Sequence, residues 1–260
     1  MTATSAAFIG HGSPMNAIEH NRFTDAWRDF GQSNPQPRAI VAISAHWYIN
    51  ATAVTSSANP RVIHDFYGFP QALFDFDYPA PGSPEVAALV AEIVQPVWVG
   101  LDADSWGIDH GTWSVLAHAF PNADVPVVQL SIDANKPLDY HVDLGSRLAP
   151  LIDQGVLILA SGNVVHNLGA IDWNAPNHGY DWAQRFDDDA RHVMLDEPSA
   201  FAKLRDHADY QLSVPTPDHF LPLAYLAGIA AARGATPEVI IDGCVMGSLS
   251  MTSYVISPND

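Results

Sequence analysis

At 260 residues, with 48% hydrophobic side chains, the chain carries enough apolar material for one large α/β domain or two small ones. A formal net charge of −18, with 11 Lys+Arg against 29 Asp+Glu, argues against nucleic acid or an anionic membrane surface as a partner. One cysteine, Cys244, excludes an internal disulfide and a cysteine-based zinc knuckle.

Taken in chain order, apolar β-branched runs alternate with stretches of helical period, the pattern of βαβ units. The opening MTATSAAFIGHGS lacks the basic region and long apolar run of a secretory leader. A cytoplasmic protein is therefore expected. AAFIG (6–10) is predicted as the first strand and stops at His11, between Gly10 and Gly12. AIVAISA (39–45) follows, ending at His46, and then ATAVTS (51–56). His64 stands in IHDFYGF, ahead of the proline-rich stretch 69–84, a connection long enough to suggest a lid or rim. Ser83 and Pro84 open a predicted helix over 83–95 as N-cap and first-turn proline.

VWVGL (97–101) and VPVVQLSI (125–132) read as strands on either side of His110 in WGIDHGTW. A helix is predicted over 138–155, closed by a glycine, and VLILASG (156–162) leads to His166. His219 in TPDHFLPL is expected beside an N-cap Asp218 or in the first turn of a helix over 220–234. EVIIDG (238–243) and SMTSYVIS (250–257) complete the strands. No repeat or linker divides the chain, so one α/β domain over 1–260 is expected, with a mainly parallel or mixed central sheet flanked by helices.

Histidine is the compositional outlier, 12 against 11 Lys+Arg. Ligands of open α/β sheets bind beyond the carboxyl ends of the strands, and there His11, His46 and His166 fall, with His219 at a helix start. A lone histidine at such a place is usually an ordinary hydrogen-bonding residue; the case for these four is collective. His20, His118, His141, His178, His192 and His207, on predicted helix faces or polar loops, are read as ordinary. Convergent imidazoles suit a transition metal, although no H-E-x-x-H and no cysteine pair is present. Gly10 and Gly12 then read as residues that let the backbone crowd a metal or substrate.

The segments FIGHGSPMNAIEHN, VAISAHWY, IHDFYGFPQALFDFDYPAPGSP, WGIDHGTWSVL, VVQLSID, LASGNVVHNL, TPDHFLPLAY and GSLSM together resemble the class III extradiol ring-cleaving dioxygenases, in the branch of the 4,5-DOPA extradiol enzymes. The resemblance runs from Phe8 to Met251 and implies a fold like the protocatechuate 4,5-dioxygenase catalytic subunit. It implies His11, His46 and His219 as ligands of one divalent metal ion. His166 becomes the active-site acid/base, close enough to serve as a fourth ligand, and His110 faces the substrate; Ser13 and His64 are candidate substrate contacts. His219 stands where protocatechuate-type relatives offer a glutamate. Fe(II) is what the dioxygenase reaction calls for, while three histidines also suit Zn(II). The implied partners are O2 and a catechol, L-DOPA or a relative, opened to a muconic semialdehyde by a monomer or small homo-oligomer.

Asp65, Asp109 and Asp218 each adjoin a candidate histidine and are candidates to orient it, although chance adjacency is the stronger account for each. Trp47, Tyr48, Phe66, Tyr67 and Trp106 are candidates for an aromatic pocket, with core packing expected for about half. Two other classes accommodate the histidines: a zinc hydrolase, for which no glutamate base stands nearby, and a Memo-like binding protein on the same fold.

Overall fold

A computed structural model describes residues 3–34 and 36–258. Six strands form the central sheet: β1 (Ala6–Gly10), β2 (Ala39–Ser44), β3 (Val127–Gln129), β4 (Val156–Gly162), β5 (Glu238–Ile241) and β6 (Ser253–Ile256). Their spatial order is β3-β2-β4-β1-β6-β5. The first four run parallel; β6 is antiparallel to β1, and β5 to β6. Every residue of β1, β2 and β4 is buried, as continuous apolar runs require when both faces of a sheet are covered.

Six longer helices make the covering layers: α1 (Arg22–Ser33), α2 (Pro84–Ile93), α3 (His110–Ala119), α4 (Leu138–Leu148), α5 (Asp181–Asp196) and α6 (Leu221–Arg233). Strand alternation divides the core. Phe8, Val41 and Ile158 pack with α2, α4, α5 and α6, while Ile9, Ile40 and Leu159 pack with α1 and α3. Ser83 accepts the Val86 N–H at 3.2 Å and starts α2. Gly234, at φ +63°, ends α6. Among the described residues no helix is long and apolar enough to cross a membrane.

Several sequence expectations are altered by hydrogen bonding that only the fold supplies. The stretch 125–132 is not one strand. Leu130 donates to Ala42, Ser131 to Ala53 and Ile132 to Trp47, so the chain transfers its bonds from β2 to an outer layer. There Ile132–Asp133 pairs with Tyr48–Ile49. The runs at 51–56 and 97–101 contribute Ala53–Thr55 and Gly100–Asp102, which pair with each other outside the central sheet. Pro150, lacking an N–H, divides the helix expected over 138–155 into α4 and a turn at Pro150–Asp153. Within 250–257 only β6 joins the central sheet; Ser250 pairs instead with Cys244 in a separate two-stranded ladder, and the Ser250 and Thr252 hydroxyls donate to the buried Asp187 carboxylate, each at 2.6 Å. The proline-rich stretch is partly core: Leu73 and Tyr78 are buried, and the Tyr78 hydroxyl donates to the Phe120 carbonyl.

Candidate active site

The carboxyl ends of three adjacent parallel strands set the site. Gly10 of β1 is in register with Gly162 of β4, and Ser44 of β2 with Ser161. His11, His46 and the segment carrying His166 therefore leave the sheet along one edge. His110 is the first residue of α3, whose N-cap Asp109 accepts the Thr112 N–H. His219 is fixed to the end of β4 by its carbonyl, which accepts the Asn163 N–H at 2.9 Å. Asp218 is not the N-cap of α6; that helix starts at Leu221, and the Asp218 carboxylate accepts from His219 Nδ1 instead.

Together these five histidines and Asp65 line a cavity of about 350 Å³. The His46 ring lies 5.2 Å from that of His11, 5.0 Å from His219 and 4.0 Å from His110, centroid to centroid. His166 stacks on His219 at 3.5 Å and 3°. The ligand atoms of His11, His46 and His110 all lie within 4.8 Å of one another. By distance, then, His110 joins the tightest trio, while His219 stands beside it, its ring 5.3 Å from His11.

Hydrogen bonds assign the ring nitrogens. The Ser161 hydroxyl donates to the Gly111 carbonyl, so it accepts from His11 Nδ1 at 2.9 Å. Asp65 is shared: Oδ2 accepts from His46 Nδ1 at 2.9 Å, and Oδ1 from His110 Nδ1 at 2.8 Å and from its backbone N–H at 3.1 Å. With Asp218 on His219, four imidazoles have Nδ1–H committed and Nε2 bare. The Nε2 atoms of His11 and His46 face each other at 3.3 Å. Two lone pairs at that distance repel unless a proton or cation lies between them. Neutral rings held through the opposite nitrogen are the usual dress of metal-binding histidine. The donor set fits a divalent transition metal. Among the described residues no hydrogen bond is made by the ring of His166.

Burial favours the neutral form at four of the five imidazoles. Burial, then the neighbouring imidazoles, holds His11 well below the ordinary histidine value. Burial likewise lowers His219 to about 4 despite Asp218, and lowers His166 to about 2 with help from His219. Burial lowers His110 as well. At His46 burial is outweighed by the hydrogen bond its Nδ1 donates to Asp65 and by nearby carboxylates, and its pKa is raised. Burial alone would raise Asp65, but its bonds from His110 and His46 hold it well below the usual carboxylate range.

The other candidates divide. Ser13 lines the cavity and accepts the Met15 N–H at 3.3 Å. His64 turns away: its Nε2 meets the Phe76 carbonyl at 2.8 Å, and its ring packs on Trp113. Neighbours in an extended segment point to opposite sides, and it is Asp65 that reaches the cavity. Asp109, fully buried, accepts from the Ser44 hydroxyl at 2.7 Å and from Gln129 Nε2 at 2.7 Å, so it props a helix start rather than an imidazole. Of the aromatic set only Phe66 lines the cavity. Trp47 and Trp106 stack on each other at 5.9 Å, and Tyr67 is 92% exposed.

The sequence reading does not single out Pro14, Phe69, Leu168, Ile171, Trp173, Met246 or Leu249, which complete the lining. Phe69 lay within the proline-rich motif, whereas the others belong to no spacing pattern. Gly10 makes room for protein, not for a ligand: a Cβ there would stand 2.8 Å from the Met251 carbonyl carbon. Gly12 has φ +61° and does line the cavity.

The description "catalytic LigB subunit of aromatic ring-opening dioxygenase" matches residues 6–257. The chain belongs to the LigB family. Its relatives include the protein named 4,5-DOPA dioxygenase extradiol from Escherichia coli (strain K12), 46% identical over 98% of this chain and 95% of that one. The Beta vulgaris protein of the same name is 34% identical over 95% of this chain and 94% of its own. The crystal structure of an uncharacterized Escherichia coli K12 protein superposes with a TM-score of 0.85 at 40% identity, covering 98% of this chain and 100% of the other. This LigB-family chain is thus an extradiol aromatic ring-opening dioxygenase, and the imidazole cluster is compatible with the family's dependence on a metal.

Proposed function

We propose that this LigB-family enzyme opens the ring of L-DOPA or a related catechol to a muconic semialdehyde of the seco-DOPA type, with both atoms of O2 entering the product. The observation that carries the reading is the convergence of five imidazoles from separate elements on one cavity, four of them with Nδ1 already bonded. His11, His46 and His219 hold the metal, iron(II) for turnover, with Asp65, Asp218 and Ser161 fixing their rings from behind. A divalent cation held there lowers the pKa of the catechol hydroxyls, and iron(II), unlike zinc(II), also supplies a redox link to O2.

His166, which lines the cavity, stacks on His219 and makes no ring hydrogen bond among the described residues, takes a proton from a catechol hydroxyl and returns it when the ring opens. His110, its Nδ1 committed to Asp65, offers Nε2 to substrate oxygen. Ser13 contacts substrate near the rim. The distances favour a second ligand set, His11, His46 and His110, which would leave His219 as a stacking partner for His166.

Anaerobic reconstitution with iron(II), followed by L-DOPA and air, tests the activity. A yellow ring-opened product and one O2 consumed per catechol are expected; no uptake with any catechol refutes it.

A further inference from the structure

We propose that the cavity selects catechols whose ring substituent is uncharged and apolar, and that it disfavours a carboxylate bonded directly to the ring. This rests on the catechol-cleaving reading above.

The cavity is polar at one end and apolar at the other. Its histidines and Asp65 cluster at the strand ends, and the rest of the wall is largely Phe66, Phe69, Leu168, Ile171, Trp173 and Met246. Leu168 and Trp173 also stand in solvent, at 62% and 76% exposure, which puts them at the mouth. Their segment is held in place. The Asp172 N–H donates to the Met246 carbonyl, the Met246 N–H to Ala175, and the Gly247 N–H to His178, so Trp173 and Met246 share one backbone framework. With the two ring oxygens among the imidazoles, substituents on the opposite edge of the ring meet this apolar wall, and an alkyl group there removes further apolar surface from water.

A carboxylate meets nothing favourable in that wall. Among the described residues no arginine or lysine lines the cavity. Arg22 is held by the Asp242 carbonyl, Arg61 by the Ser105 carbonyl and Arg185 by the Asp209 carboxylate. Asp65 lies in the wall itself, Asp218 sits behind His219, and the whole chain carries −18. With the cation at the imidazole end engaged by the two ring oxygens, a carboxylate on the opposite edge has no partner in that wall, and an anion buried without one is strongly disfavoured. A carboxylate bonded to the ring is fixed beside it, whereas the amino-acid group of DOPA stands on a flexible stem that can turn it toward the exposed mouth at Leu168 and Trp173. The order of preference is therefore 4-ethylcatechol, then L-DOPA, then protocatechuate.

The test is kcat/KM of the iron-reconstituted enzyme for these three compounds, with anaerobic binding to the metal-loaded protein followed by tryptophan fluorescence. We expect 4-ethylcatechol to exceed protocatechuate by about tenfold or more, carried by KM and matched by Kd. Trp173→Arg, at an exposed position outside the core, should raise kcat/KM for protocatechuate severalfold without raising that for 4-ethylcatechol. Protocatechuate turned over as well as 4-ethylcatechol, or an unchanged ratio in Trp173→Arg, overturns the substituent preference alone. Failure of all three to consume O2 overturns the catechol reading and the preference with it.

Discussion

His141 and His11 are equally hidden, at 0% and 1% exposure, yet they belong to regions built on different principles. His141 sits between α4 and α6, where its Nδ1 meets the Tyr225 hydroxyl at 3.0 Å and no other imidazole is near enough to share a ligand. His118 is similar, its Nε2 tied to the Asn16 carbonyl at 2.7 Å. Around the cavity, each of four imidazoles commits Nδ1 to an anchor, and the Nε2 atoms of His11 and His46 face each other at 3.3 Å. Burial does not distinguish structural from chemical histidine here. The convergence of unspent nitrogens does.

The comparison is broken most severely by deleting imidazoles. His46→Ala and His219→Ala should each abolish tight metal binding and O2 uptake, read by metal analysis after dialysis and by an oxygen electrode. His166→Ala should keep the metal while losing about 10²- to 10⁴-fold in kcat, the scale of a proton-transfer group. His110→Ala should also keep the metal; if it loses metal and His219→Ala does not, the ligand set is His11, His46 and His110.

A smaller effect comes from the anchor behind two rings. In Asp65→Asn the carboxylate that accepts from both His46 and His110 becomes an amide with one accepting oxygen, so one imidazole loses its fixed tautomer. Metal affinity or activity should fall about 10- to 100-fold, measured by chelator competition and initial rates. Retention of both at wild-type levels would show that packing alone orients the rings.

The smallest effect lies in the structural region and spares catalysis. Burial lowers His141 to about 4, below its unfolded value of about 6.5. The unfolded chain therefore binds more protons between those values, and stability present above pH 6.5 is lost as pH falls toward 4. Between pH 7 and pH 5 this amounts to about 2 kcal/mol. Urea midpoints of His141→Gln should fall less over that interval than those of the wild type, with no accompanying loss of metal.

Much of the site was legible before any coordinates. A strand buried on both faces must be a continuous apolar run, so the ends of β1, β2 and β4, and the small residues beside His11, His46 and His166, could be read directly. His219 also stood out, by its motif. Its neighbour Asp218 is open to two readings in sequence, helix cap or carboxylate behind an imidazole, and the structure shows the second.

What the sequence by itself determined is the chemical inventory: imidazoles at strand ends, 29 Asp+Glu against 11 Lys+Arg, and a chain that matches one family along nearly its whole length. Tertiary structure decided which ring nitrogens are bonded, that Asp65 rather than His64 enters the cavity, and that ligand atoms of His110 lie within 4.8 Å of those of His11 and His46. It also decided the apolar mouth, where Trp173 and Met246, distant in sequence, are joined by backbone hydrogen bonds. The reason is directional. Residue spacing tells where a side chain leaves the backbone, but the side it faces, and the partner waiting there, are set by packing between segments that sequence order does not bring together.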